Sequence, residues 1–160
     1  MVGSIEEVCR METNITDFWE AFKSDRKEFS DTALPKVDHF CNDEENTNLC
    51  SQLVNDGIKT ATCSAKILYD LNKETLPQIG TLILVTDWSG NPVCVIRTTK
   101  IELKKFEEIN EVWARKEGEG DFSLACWRDA HEKFFRAVLN EHGIDFQKDL
   151  ILVCEEFEKL

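Results

Sequence analysis

The segment Gly57-Ile58-Lys59-Thr60-Ala61-Thr62-Cys63-Ser64 gathers an amine, hydroxyls and a thiol within a few residues. If a helix begins here, Lys59 and Thr62 share a face, and free backbone N–H groups join them in a seat for an anion or a developing oxyanion. If the chain is extended, Lys59 and Thr62 point to opposite faces and Thr60 pairs with Thr62. The plainer reading is a helix capped by Thr or Ser beside a solvated lysine. A second group, Glu117-Gly118-Glu119-Gly120-Asp121, sets three acids between glycines that free the backbone to aim carboxylates at a cleft. It also reads as an acidic lead into a helix, where negative charge complements the dipole. In Trp127-Arg128-Asp129-Ala130-His131, Arg128 and His131 stand three apart and can flank a site at a helix start. Packing alone also explains the tryptophan and the histidine.

Metal chemistry has little support in these spacings. The acids lack a matching histidine, and His39 with Cys41 and Cys50 fits no zinc pattern. Cys63, beside a lysine near a possible helix start, is a candidate for a lowered thiol pKa, but no histidine is close in sequence to make it a protease-like nucleophile.

The elements that would position these groups follow from periodicity. A helix is expected over about 17–29, capped by Thr16-Asp17, with Trp19, Phe22 and Arg26 at helical spacing. A short strand near Val37–Phe40 precedes a helix from about Glu45 to Asp56, with Leu49, Leu53 and Val54 inward and Gly57 as its stop. Ile67, Leu68 and Leu71 mark another helix. Thr81–Asp87 and Val93–Ile101 read as a hairpin about the turn Ser89-Gly90-Asn91-Pro92. A short helix or turn over Phe106–Ala114 leads into an exposed or site-lining loop, 115–122. Leu124, Trp127, His131, Phe134, Phe135, Val138 and Leu139 then form one stripe of an amphipathic helix ended by Gly143. Leu150–Glu158 alternates as a last strand. The pattern is that of one α+β domain, a small β-barrel or strongly curved sheet with flanking helices.

Charge narrows the function classes. The 160 residues carry 19 Lys+Arg against 31 Asp+Glu, a net charge of −12. A protein that coats DNA or anionic membrane by general basicity is excluded, because such binding neutralises phosphates with Lys and Arg. Residues 1–50 hold 12 acidic and 5 basic side chains and residues 117–160 hold 11 and 5, whereas residues 51–116 hold 8 and 9. An anionic group would find its floor in that middle third. Seven cysteines without a CxxC fit free thiols in a reducing compartment. With no signal-like start and no apolar run of spanning length, the chain reads as cytoplasmic, with no membrane association.

In order along the chain, Gly57-x-Lys59-Thr60-Ala61-Thr62, Leu76-Pro77-x-x-Gly80, Asp87-x-x-Gly90-x-Pro92 and Glu117-Gly118-Glu119-Gly120-Asp121-x-Ser123-Leu124-x-x-Trp127-Arg128-x-x-His131 resemble the ASCH domain family, in its single-domain bacterial-type branch. The resemblance covers about residues 17–158, leaving 1–16 as an N-terminal segment before a single domain at 17–160. It implies a PUA-like fold and a cleft where the Gly-x-Lys motif faces the acidic loop. It also implies RNA-related work: some members deacetylate acetylcytidine, some are ribonucleases, and the domain occurs in transcription coactivators.

By that resemblance Lys59 and Thr62 match the lysine and threonine of the small amidohydrolases, and Glu119 is the nearest match to their glutamate, with Glu117 and Asp121 as alternatives. Thr60, Ser64, Glu117, Asp121, Arg128 and His131 would bind substrate, with no metal or other cofactor. A lysine facing a carboxylate stays charged, which favours Lys59 as oxyanion holder and Glu119 as base, acting on Thr62 or directly on water. The expected partner is a small nucleoside or single-stranded RNA. An amidohydrolase ranks first because a neutral nucleoside loses little on entering an acidic protein. An RNA module would use a basic strip of Arg97, Lys100, Lys104 and Lys105 and a stacking Trp88 or Trp113. A noncatalytic interaction domain ranks third.

Overall fold

The computed structural model describes the backbone from residue 5 and the side chains from residue 14, in both cases to residue 160. The chain forms two compact units, one of residues 1–52 and 82–96, the other of 53–81 and 97–160.

The first unit holds helix α1 (Ile5–Asp25), a 3-10 turn at Lys27–Phe29, strand β1 (Lys36–Asp38), most of helix α2 (Glu44–Asn55) and strand β3 (Leu82–Thr86). β1 runs parallel to β3, with Lys36 opposite Ile83 and Asp38 opposite Val85. Trp19 is buried and stacks on Phe22 at 5.2 Å, as their helical spacing requires. The expected start at residue 17 is corrected: α1 already runs at Ile5, so Thr16-Asp17 lies inside it rather than capping it. On α2 the buried apolar residues are Cys50 and Val54, whereas Leu49, expected inward, is exposed. The hairpin turn is closed by the Asp87 carboxylate, which accepts the Asn91 N–H at 2.8 Å, with Gly90 at a φ of +83° that suits glycine.

Strand β4 (Pro92–Lys105) gives its first residues to this unit and the rest to the second. There β5 (Ile151–Lys159) lies between β4 and β2 (Ala61–Ala65). β2 and β5 are antiparallel, pairing Ala61 with Glu156, Cys63 with Cys154 and Ala65 with Leu152. The motif around Lys59 is therefore extended; no helix begins until α3 (Lys66–Asn72). Thr and Ser are as much at home in a strand as in a cap, and the pairing with β5 decides between them.

Helices α4 (Glu111–Glu117) and α5 (Leu124–Asn140) complete the unit. α4 ends three residues later than expected, so Glu117 closes a helix instead of lying in the exposed or site-lining loop. The Ser123 hydroxyl accepts the Cys126 N–H and starts α5, whose Trp127, Phe135 and Leu139 enter the core as their stripe predicts. Phe106 sits among them, with ring centroids 5.3 Å from Trp127 and 5.0 Å from Phe146. The architecture is α+β, as the element pattern requires.

Candidate functional site

Two backbone segments far apart in sequence are zipped together at the centre of the second unit. The Thr60 N–H donates to the Lys116 carbonyl at 2.8 Å, and the Thr60 carbonyl accepts the Phe157 N–H at 2.9 Å. The extended pairing thus continues one residue before β2. Alternation then places Lys59, Ala61, Cys63 and Ala65 on one face and Thr60, Thr62 and Ser64 on the other. Gly118, at a φ of +68°, caps α4, and a Cβ there would lie 2.7 Å from the Ile58 carbonyl oxygen. Only glycine lets the end of α4 come this close to the lysine segment.

Lys59 and Glu117 are the result of that approach. Both side chains are 1% exposed, and the Lys59 ammonium donates to Glu117 Oε2 at 3.1 Å and to Glu119 Oε1 at 2.7 Å. Trp113 Nε1 donates to the other Glu117 oxygen at 2.9 Å. His131 Nε2 lies 3.3 Å from Glu117 Oε2, while its Nδ1 lies 2.9 Å from the Trp127 carbonyl. Either neutral tautomer would leave a ring lone pair against an oxygen; only the imidazolium satisfies both contacts. The ring also stacks on Trp127 at 4.1 Å.

The titration behaviour follows from these contacts. Burial works to raise the Glu117 pKa, but the Lys59 ammonium, His131 and the Cys63 thiol overcome it and hold this carboxyl far below the usual range. Burial works to lower the His131 pKa, and the Glu117 carboxylate outweighs it, so the net shift is upward. The Cys63 thiol is pushed well above its ordinary value by burial and then by Glu117. This reverses the expected activation of Cys63: the strand turns the thiol toward a carboxylate rather than a helix N-terminus. Across the ladder, burial and Glu117 raise Cys154 to about 12.

Four of the nine residues singled out from sequence therefore meet: Lys59, Glu117, Glu119 and His131. Within this cluster Glu119 is the acid that reaches solvent, its side chain 27% exposed. Thr62 lies on the opposite face of β2, directly across from Glu155, whose carboxylate accepts the Thr98 hydroxyl at 3.4 Å. Ser64 shares that face and pairs with the Tyr69 hydroxyl at 3.0 Å. The exposed Thr60 donates to the Lys116 carbonyl at 3.3 Å. Asp121 is spent on the Ser123 N–H at 2.9 Å, and Arg128 reaches the Ile109 carbonyl at 3.4 Å.

Trp113 and Cys63 belong to the cluster and were not assigned to it from sequence. The i, i+4 spacing of Trp113 and Glu117 on α4 was the available signal for the first, and alternation from Lys59 for the second.

The ligand atoms of Cys63, Glu117 and His131 lie within 4.8 Å of one another, the one such group among the described residues. A metal ion here would have to compete with the four protein donors that already satisfy Glu117. The charges also close without one, two carboxylates facing an ammonium and an imidazolium.

Three of the four cations considered for RNA face carboxylates. Arg97 Nε donates to Glu158 at 2.9 Å, and Lys100 and Lys104 share Glu102 at 3.1 and 3.3 Å. Trp113 is buried and cannot stack a base, whereas Trp88 is exposed.

Known proteins resemble this chain in sequence and fold. The family model described as ASCH domain matches residues 36–160. The crystal structure of an ASCH domain from Lactobacillus crispatus JV V101 superposes with a TM-score of 0.86 at 38% identity, covering 92% of this chain and 94% of that one. Protein EF3133 from Enterococcus faecalis V583, assigned to the family DUF984, gives 0.84 at 34% identity, covering 92% and 88%. No curated protein matches the chain.

Proposed function

The chain belongs to the ASCH domain family, with its PUA-like fold, and on that premise we propose that it is a small amidohydrolase that removes the acetyl group from 4-acetylcytidine. The observation that carries this reading is the pairing of a buried ammonium with a partly exposed carboxylate, Lys59 with Glu119 at 2.7 Å. Amide hydrolysis needs a base for the attacking oxygen and a fixed positive charge for the oxyanion. Glu117 keeps Lys59 charged and in place, so the ammonium is the oxyanion holder and Glu119 is the base.

Thr62 faces away from this pair, which favours direct attack by water over a threonyl intermediate. Glu119 takes a proton from water as the oxygen attacks the acetyl carbon, and Lys59 stabilises the resulting oxyanion. Collapse breaks the C–N bond, and Glu119 returns the proton to the departing exocyclic amine, giving cytidine and acetate. A neutral nucleoside also suits a chain of net charge −12 better than a polyphosphate does.

The test is cytidine release from 4-acetylcytidine, followed by chromatography. Lys59→Ala and Glu119→Gln should each lower kcat/KM by roughly 100-fold or more. Thr62→Val should retain activity within a factor of about 3, given ordinary surface-level effects on stability. No release by the wild-type protein at high concentration would overturn the reading, and loss of activity in Thr62→Val alone would restore threonine as nucleophile.

A further inference from the structure

In the first unit, Cys41 and Cys50 bring their sulphur atoms to 3.5 Å. Cys50 is buried in the middle of α2, while Cys41 is half-buried in the loop before it. Cys41 has a φ of +65°, a left-handed conformation that residues with a Cβ rarely adopt. The loop is fixed in that shape by the Thr47 hydroxyl of α2, which donates to the Phe40 carbonyl at 2.7 Å. A backbone outlier that aims one thiol at another, on a clamped loop, is a reason to look for chemistry.

We propose that Cys41 and Cys50 are a modification site for hydroperoxides, closing to an intramolecular disulfide. The Cys41 thiolate attacks one peroxide oxygen, the O–O bond breaks, and water or an alcohol leaves after protonation. The peroxide is thereby reduced by two electrons and Cys41 becomes a sulfenic acid. The Cys50 sulphur then attacks the Cys41 sulphur. The S–O bond breaks, the oxygen departs as water with the Cys50 proton, and an S–S bond remains. The sulphurs must close by only about 1.5 Å to reach bonding distance.

The other described thiols are poorer targets. Cys63 and Cys154 face each other across β2 and β5, but both are held protonated by burial and by Glu117. Cys94 is buried, and Cys126 lies beneath Gly120, where even a Cβ would come within 2.4 Å of its sulphur.

The experiment treats the reduced full-length protein with hydrogen peroxide, alkylates the remaining thiols, and reads intact mass and peptide maps. The expected first product is a monomer that before alkylation is lighter by about two mass units, the two hydrogens lost in forming one disulfide, with Cys41 linked to Cys50 and the link removed by dithiothreitol. In Cys50→Ser, Cys41 should keep its oxygen, trapped by dimedone as the sulfenic acid and passing on to the sulfinic acid. In Cys41→Ser, Cys50 should stay reduced. A first product at another cysteine, a link between two chains, or a sulfinic acid at Cys41 in the wild-type protein would each overturn the proposal, and none of these readings depends on hydrolase activity.

Discussion

Glu117 has a buried carboxylate with an ammonium, an indole N–H, an imidazole and a thiol around it. Removing its charge leaves Lys59 buried with only the partly solvated Glu119 as counter-ion. Glu117→Gln should therefore cost about 3–5 kcal/mol of stability, the range for breaking a buried pair, read by urea denaturation. The same contacts set a pH window. His131 has its pKa raised above the ordinary 6.5, so the native state holds a proton that the unfolded chain releases first. Its contribution is complete below about 6.5 and fades as pH rises through the folded value. Glu117 acts at the other end: its folded pKa is depressed, so its contribution is complete above the ordinary 4.5 and is lost as pH falls. Urea midpoints should peak between these limits and decline on the alkaline side. His131→Gln should flatten that alkaline decline; an unchanged slope would show that the imidazolium is not its source.

Helix α4 and strand β2 meet through Gly118, so this element contact is tested at that glycine. Gly118→Ala sets a Cβ against the Ile58 carbonyl oxygen at a positive φ, and should cost about 1–3 kcal/mol while lowering kcat, because Glu119 moves with the displaced turn. Gly143→Ala is the control: its φ is also +68°, but nothing lies within 4 Å of the added carbon, so it should cost only about 1 kcal/mol and leave kcat alone. Thermal denaturation of the two variants gives the ranking. Gly57 and Gly143 were legible as helix stops, and the stripe Trp127, Phe135 and Leu139 as a core face, because these signals are local. Strand β2 was not, because Thr60, Thr62 and Ser64 suit a cap as well as a strand, and the choice was made by β5, a distant part of the chain. Glu117 was misplaced for a related reason. An acid before glycine looks solvated until Lys59, Trp113 and His131 are known to surround it. The pairing of Lys59 with the Glu117–Asp121 segment was read from family resemblance, not from spacing.

At the scale of the whole molecule, the net charge of −12 and the ion-paired strip of Arg97, Lys100 and Lys104 argue for a neutral ligand. Fluorescence anisotropy with single-stranded RNA should show weak binding even at low salt, with a shallow salt dependence, since the acidic chain repels phosphates and Arg97, Lys100 and Lys104 already face carboxylates. Tight, salt-sensitive binding would move the assignment to the RNA-binding class. The pairing of Ala61 with Glu156 has a consequence of another kind. It closes a loop of more than half of the chain, and the contact of Lys59 with Glu117 closes another of more than a third of the chain. Such distant contacts must pay their loop entropy before they return any energy, so refolding should be slow for a domain of this size, in the range of milliseconds to seconds. The cluster should assemble late, and the Trp113 indole, which leaves solvent when α4 packs into the core, is placed to report the moment it does.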